Sequence, residues 1–414
     1  MARLTSIATI LGVAALAAAG AASAQTVFQS GNVFHVQACP GPAAPGAARC
    51  HAHIVTDFRG NHLTNMFVAN RIERTAKSNA VPSGYGPSAL ISAYNPAVAA
   101  TYPVGVGSSH TTIAIVDAYG YTNAEADLGV YRSMYGLPAC TTANGCFTKY
   151  NEAGQKANYP VQNVGWAEET ALDLDMASAM CPNCKIILVE ANSATYADLA
   201  AAVRTAGALG AHVISNSYGG AEQGSQSYAA AYSQAGVAIT ASTGDSGYAA
   251  GPQFPATSPG VVAVGGTSLY QANNARGWTE SAWVDGGSGC SKVYAKPQWQ
   301  SFITLCTMRM EADVSAVADP YTGVAVYGPV TTTLSAWQVY GGTSVAAPLV
   351  GGIYGANGGA VSFGSNPYAY RGTTYLNNVT TGSNGSCGGT MFCTAGPGYN
   401  GPTGLGTPHG TTAF

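Results

Sequence analysis

Charge is scarce in this sequence. Asp, Glu, Lys and Arg make up 8% of its 414 residues, against about a quarter in an ordinary soluble chain. With a formal net charge of -3 and no basic cluster beyond Arg71, Arg74 and Lys77, the electrostatic footprint of a nucleic-acid binder is missing. A surface that relies on Ser, Thr, Asn, Gln, Gly and Tyr gains little net charge when carboxylates protonate, so acid generates little self-repulsion. Long apolar runs are also rare. The uncharged stretch from Ser6 to Ala22 is short and alanine-rich, follows Arg3, and ends in Ala22-Ser23-Ala24, the pattern of a secretory signal peptide over residues 1–24. No second long apolar span follows, so no membrane anchor is expected. The expectation is an exported monomer, secreted to the extracellular space or periplasm, with no nucleic-acid or membrane partner. Histidine is absent from Thr111 to Ala211, which bears on the choice of catalytic base below.

Cysteine is present in a number that suits export. The ten cysteines fall as close neighbours: Cys39 and Cys50, Cys140 and Cys146, Cys181 and Cys184, Cys290 and Cys306, Cys387 and Cys393. Five local disulfides is the economical reading. Cys181-Pro182-Asn183-Cys184 also fits a redox or metal pair, although no partnering Cys/His pair lies nearby.

Residues 25–84 are irregular and read as a short propeptide or N-terminal extension. From Tyr85 the pattern becomes an alternation of apolar strands and helices. Strands are predicted at Thr112–Asp117, Ile186–Glu190, Val213–Ser217, Val237–Thr243 and Val261–Val264, and helices at Ala124–Tyr135, Trp166–Met180 and Tyr196–Leu209. This is the signature of an α/β domain over 85–414, a mostly parallel sheet with helices on both faces. In such a fold a site lies at the carboxyl ends of the strands. Asp117, the loop after Thr243 and the turn before Ser344 would all be placed there.

Three stretches carry reactive groups. Gly342-Thr343-Ser344-Val345-Ala346-Ala347-Pro348 reads as a glycine turn that delivers a serine to the start of a buried helix, where unpaired backbone N–H groups favour an adjacent oxyanion. In the helix Trp166–Met180, at about 100° per residue, Glu169, Asp173, Met176 and Met180 share roughly a 60° sector, while Glu168 and Asp175 project away from it. Two acids sharing an apolar face form a plausible proton-sharing pair, because burial and like charge raise one of the two pKa values. The third stretch, Thr243-Gly244-Asp245-Ser246-Gly247, follows a strand directly and brings a third acid. A serine with acids in place of histidine is the outcome.

These residues resemble the sedolisins, serine-carboxyl peptidases with a subtilisin-like fold. The likeness runs from about Tyr85 to Thr407 through Thr112–Asp117, Glu169-Thr170-Ala171-Leu172-Asp173, Gly244-Asp245-Ser246-Gly247, Phe254–Pro259, Val264–Thr267, Ala312–Ser315, Gly342–Ser344 and Gly404–Pro408. The resemblance implies a secreted peptidase acting on proteins or peptides at acidic pH. It gives Ser344 as nucleophile, Glu169 as general base, Asp173 as the acid that orients and shares a proton with that base, and Asp245 as the oxyanion-hole acid. Asp117 and Tyr218 stand where relatives extend the hydrogen-bonded network behind the base. Sedolisins commonly carry a longer prodomain and a calcium site. Here the calcium carboxylate positions read Asn378 and Asn400, so no cofactor is expected. Two rivals remain: a neutral subtilisin-type protease, which needs a histidine between Asp117 and Ser344, and a secreted binding protein on a decayed peptidase scaffold.

Overall fold

A computed structural model of the chain describes residues 25–69, 80–95, 110–359, 361 and 364–414. The expected signal peptide and the basic side chains Arg71, Arg74 and Lys77 lie outside the described residues. The N-terminal part contributes β1 (Phe28–Ser30), β2 (Val33–Gln37), β3 (Arg49–Cys50), β4 (His53–Thr56), β5 (Phe67–Ala69), β6 (Ala80–Pro82) and α1 (Pro87–Tyr94). Next come β7 (Thr112–Ala118), α2 (Ala124–Met134), β8 (Phe147–Asn151), α3 (Val164–Met180), β9 (Lys185–Ala191), α4 (Tyr196–Ala208), β10 (Val213–Asn216) and β11 (Tyr218–Ala221). The remainder holds β12 (Ala238–Ser242), β13 (Gln253–Phe254), β14 (Val262–Gln271), β15 (Trp278–Ala282), β16 (Gly289–Ala295), β17 (Met308–Glu311), β18 (Val314–Val317), β19 (Val324–Pro329), β20 (Ser335–Gly341) and α5 (Thr343–Ala356).

The main sheet has the order β15-β14-β12-β10-β7-β9-β8, with β18 also on β14. Every pairing in it is parallel except that of the edge strand β15. Its inner strands are almost wholly apolar because both faces are covered: β7 reads TIAIVDA, with six of seven residues buried. Helices α3 and α5 pack against one another, α5 lying along β7, β10, β12, β14 and β18, and α4 packs on β7, β9 and β10. The core face of α5 (Val345, Leu349, Val350, Ile353) is fully sequestered, each side chain contributing about 1.5–3 kcal/mol of transfer free energy. This is the subtilisin-like architecture expected from the sequence.

Helix α3 begins where Oδ1 of Asn163 accepts from Trp166 N at 3.1 Å, satisfying one of its free amides. Fifteen of its seventeen residues are buried, because it lies among α1, α2, α5, β7 and β19. Glu168 and Asp175 point away from the Glu169 sector as expected, yet they too are buried. Asp175 Oδ2 accepts from Tyr327 N at 3.0 Å, and Glu168 Oε1 lies 3.8 Å from His62 Nδ1.

A second sheet, β1-β2-β4-β20-β19, joins the N-terminal segment to the strand that leads into α5. All its pairings are antiparallel. The five cysteine pairs are bonded as their spacing suggests, and no described cysteine is free. Cys181 and Cys184 are therefore joined to each other rather than to a metal.

Candidate active site

The site forms at the carboxyl ends of β7, β10 and β12. Asp117 is the sixth residue of β7, Ser217 follows β10, and Thr243-Gly244-Asp245 follows β12. Ser344 arrives from the opposite direction, at the first turn of α5. The turn before it needs glycine: Gly342 has φ +97°, and a methyl there would stand 2.0 Å from the His51 carbonyl oxygen. No L side chain fits both demands. Pro348 sits within the helix, and the small residues around it allow close approach: a methyl on Gly352 would meet Met180 Cβ of α3 at 2.6 Å.

The structure brings all four sequence-predicted site residues together, and all are buried: Ser344, Glu169 and Asp173 are 0% exposed and Asp245 4%. Ser344 Oγ donates to Ser217 O at 3.3 Å, and its hydroxyl also acts on the Glu169 carboxyl. Glu169 Oε2 accepts from Ala52 N at 2.8 Å. Asp173 Oδ1 accepts from Ser217 Oγ at 2.7 Å. On the other side of the turn, Asp245 Oδ1 accepts from Thr343 N at 2.8 Å and from Thr343 Oγ1 at 2.6 Å. Its second oxygen, Oδ2, is buried without a hydrogen-bond partner and lies 3.6 Å from His53 Nε2.

Burial dominates the electrostatics. Desolvation holds the Glu169 carboxyl well above its ordinary pKa, and the charge of Asp117 adds to the rise, while the nearby Ser344 hydroxyl and the hydrogen bond from Ala52 N oppose it. Asp173 is raised well above the usual range by desolvation and then by Asp117 and Glu169, with the Ser217 hydroxyl pulling the other way. Asp117 is pushed up to about 7 by burial, with the nearby Thr170 hydroxyl pulling the other way, although that hydroxyl donates to Trp166 O at 2.8 Å and neither Asp117 oxygen has a hydrogen-bond partner. Each of the three buried acids disfavours charge on its neighbours, so they are not all ionised at once. Asp245 is raised to about 7 by burial, against the hydrogen bonds from Thr343 and the charge of Arg49. A carboxyl that stays protonated up to neutrality can act as a donor.

Tyr218 departs from the sequence-based expectation. Its hydroxyl donates to Asn216 Oδ1 at 2.8 Å and meets Tyr232 Oη at 3.2 Å, so its hydrogen bonds go to these groups, and it is the small hydroxyl of Ser217 that bonds Asp173. Sequence reading missed Ser217, Thr170 and Thr343, whose short hydroxyls carry no pattern of their own. It also missed His51 and His53, which come from upstream of Asp117. Neither imidazole replaces a base on Ser344: His51 meets Ser242 Oγ at 2.7 Å and Gln253 Oε1 at 3.2 Å, and His53 Nδ1 meets His35 Nδ1 at 2.8 Å.

The calcium site implied by the resemblance can be tested on the donor set. Asn400 Nδ2 donates to Val379 O at 3.2 Å and Gly396 O at 3.3 Å, and Asn378 Nδ2 donates to Gly398 O at 2.8 Å. Amide protons thus stand against the carbonyl oxygens a hard cation would need, and no carboxylate is supplied. These residues do not fit calcium. Among the described residues no group of three or more His, Cys, Asp or Glu is arranged to hold a metal.

The profile of the Subtilase family matches residues 153–357. Kumamolisin of Bacillus sp. (strain MN-32) is 30% identical over 370 residues, covering 80% of this chain and 63% of that protein. Sedolisin of Pseudomonas sp. (strain 101) is 26% identical over 365 residues, covering 78% of this chain and 60% of that one. The chain therefore spans about three-fifths of the length of these curated relatives. Among solved structures, Pseudomonas sedolisin complexed with two molecules of pseudo-iodotyrostatin aligns with a TM-score of 0.65 at 24% identity, covering 79% of this chain and 96% of that one. That likeness establishes the shared fold.

Proposed function

The chain belongs to the sedolisin family, and from that premise we propose that it is an exported, acid-active serine-carboxyl peptidase that hydrolyses peptide bonds in proteins or peptides. The observation that carries this reading is the pairing of Ser344 with carboxyls alone. Glu169, Asp173 and Asp117 share one buried pocket behind the serine, and Asp245 lies across the Gly342–Ser344 turn.

In this reading Ser344 Oγ attacks the scissile carbonyl carbon while Glu169 takes the hydroxyl proton. Asp173 shares a proton with Glu169 and holds it in place through the common pocket. The negative charge that develops on the carbonyl oxygen is met by a proton on Asp245 and by the N-terminus of α5. Glu169 then returns its proton to the departing amine, and water releases the acyl group by the same steps reversed. Protonation of Asp245 sets an upper pH limit near its own pKa, so the rate declines through about 7. Asn378 and Asn400 take over the bonds of the family's calcium loops, so the proposed enzyme needs no calcium. Hydrolysis of acid-denatured protein at about pH 4 tests the reading: wild type should release peptides, and Ser344→Ala should release none above background. Equal release by both would defeat it.

A further inference from the structure

We propose that Glu190, held by Lys149 at the outer end of the buried acid row, is a positioning residue for catalysis: its carboxylate keeps the proton on Asp117, behind Glu169 and Asp173. The inference rests on the peptidase reading above.

The placement follows from strand register. Asp117 of β7 and Glu190 of β9 are direct partners in parallel strands, and Asn151 of β8 is the next partner along. Partners in register leave the sheet on the same face, from Cα atoms about 4.8 Å apart. Lys149, two residues before Asn151, shares that face. Both acids are sealed from water, Asp117 at 0% and Glu190 at 1% exposure. On the inner side Asp117 acts on Glu169 and Asp173 of α3. On the outer side Lys149 Nζ lies 3.3 Å from Glu190 Oε1. The row of acids thus runs from the serine through Glu169, Asp173 and Asp117 to Glu190, and meets a cation at its far end.

The two members of the Asp117 and Glu190 pair have different surroundings. Glu190 Oε1 accepts from Tyr121 N at 2.7 Å. Lys149 is pinned beside it, because Nζ donates to Tyr121 O at 2.9 Å and sits 4.4 Å from the centre of the Tyr159 ring. Tyr159 Oη in turn donates to Lys149 O at 3.2 Å. Asp117 has no ion-pair partner among the described residues. Both its oxygens are buried without a hydrogen bond, as is Glu190 Oε2. The other polar groups nearby turn their hydrogen bonds elsewhere: the Thr170 hydroxyl to Trp166 O, that of Tyr121 to Asp127, and that of Tyr218 to Asn216 and Tyr232.

These surroundings set the order of ionisation. Burial raises Glu190 above its ordinary value, and the charge of Lys149 and the bond from Tyr121 N draw it back. Asp117 has no such cation, and burial together with the charge of Glu190 pushes it up to about 7. Glu190 is therefore the first of the two to ionise as pH rises, and a carboxylate there disfavours a second charge next door. A protonated Asp117 leaves the negative charge to Glu169 and Asp173, where a base is needed.

The test is an infrared titration of protonated carboxyls between about pH 3 and pH 9 in full-length Ser344→Ala, with the Asp117 band identified by its loss in Asp117→Asn. Alongside it, kcat/KM on a neutral peptide is measured in the active enzyme. Adding Glu190→Gln, which keeps an oxygen for Tyr121 N, should move the Asp117 midpoint down from about 7 by about one pH unit. Adding Lys149→Met instead should move the combined titration of Asp117 and Glu190 up, an opposite sign that a merely loosened fold would not give. In the active enzyme Glu190→Gln should lose kcat/KM increasingly with pH, reaching about tenfold at pH 7. The acid end is affected least, because Glu190 is itself protonated there. An unchanged Asp117 midpoint in Glu190→Gln, or an equal loss of rate at every pH, overturns this inference, while an active wild type leaves the peptidase reading standing. If Glu190→Gln does not fold, an unchanged or lowered titration in Lys149→Met overturns it. A wild type that digests no denatured protein at about pH 4 overturns the peptidase reading and the positioning role with it.

Discussion

Oε2 of Glu169 accepts a hydrogen bond from the main-chain amide of Ala52, 117 residues upstream, at 2.8 Å. One contact thereby joins the N-terminal segment, the buried helix α3 and the nucleophile turn, and with Ser344 0% exposed it shows a cleft already filled by the chain itself.

Ser344, Glu169 and Asp173 should behave as one unit. Alanine at any of them is expected to lower kcat on the order of 10⁴-fold, and the double and triple variants should lose little more, because each group depends on the others. Steady-state kinetics on a peptide substrate checks this. Losses that multiply across the series would mean independent roles.

Asp245→Asn separates the oxyanion donor from its titration. An amide donates at any pH, whereas the carboxyl donates only while protonated, up to about 7. The variant is expected to lose less than about 100-fold at acidic pH, the scale for a missing donor, and to fall off less steeply towards neutrality. A pH–rate curve with the wild-type shape would remove Asp245 from the mechanism.

Stability should also favour acid. Asp117 and Asp245 have folded-state pKa values raised to about 7 by burial. Such groups stabilise the fold fully below their unfolded value near 3.8, and that stability is lost as pH rises through 7. Ser344→Ala, which cannot digest itself, should melt at a higher temperature at pH 4.5 than at pH 7.5. Calorimetry at the two pH values decides it.

The segment that fills the cleft has the opposite dependence. Burial lowers His51 to about 3 and His35 to about 4, and holds His53 far below its ordinary value. The His53 ring faces Asp245 Oδ2 and the His35 ring, and the charge of Arg49 in β3 acts on both His51 and His53. Their neutral-state stabilisation is complete above 6.5 and is lost as pH falls towards 3 to 4. Hydrogen exchange in Ser344→Ala, corrected for intrinsic rates, should show β2 and β4 opening more readily at pH 4 than at pH 7 while α3 and α5 stay protected. His35→Gln with His53→Gln should flatten that difference.

Chelation should do little. EDTA is expected to leave the melting temperature and activity unchanged, because the Asn378 and Asn400 amides already bond the loop carbonyls. Cys387→Ser opens the disulfide to Cys393 and should lower stability by about 2 kcal/mol on the chain-entropy scale. A fall in melting temperature with EDTA, restored by calcium, would overturn this.

The parallel sheet was legible in the sequence because strands such as Thr112–Ala118 are short apolar runs bounded by helical patterns. The acid pair was legible because Glu169 and Asp173 sit one helical turn apart beside Met176 and Met180. The burial of α3 on nearly every side was not, since its buried Glu168 and Asp175 have the look of a solvated face. Nor was the N-terminal segment, whose strands of two to five residues have no periodicity to read and take their form from pairing with β11 and β20. The rival that required a histidine between Asp117 and Ser344 turned on chain order alone. The histidines that do enter the cleft, His51 and His53, precede Asp117 and arrive by that pairing.

The most direct test of a serine acting through carboxyls is the pH dependence of kcat/KM for the active enzyme on a neutral peptide between pH 3 and pH 8. The account gives a maximum below about pH 6 and a decline through 7 as Asp245 loses its proton. A rate that instead rises through an imidazole-like ionisation near ~6.5 to a plateau at pH 8 would contradict it.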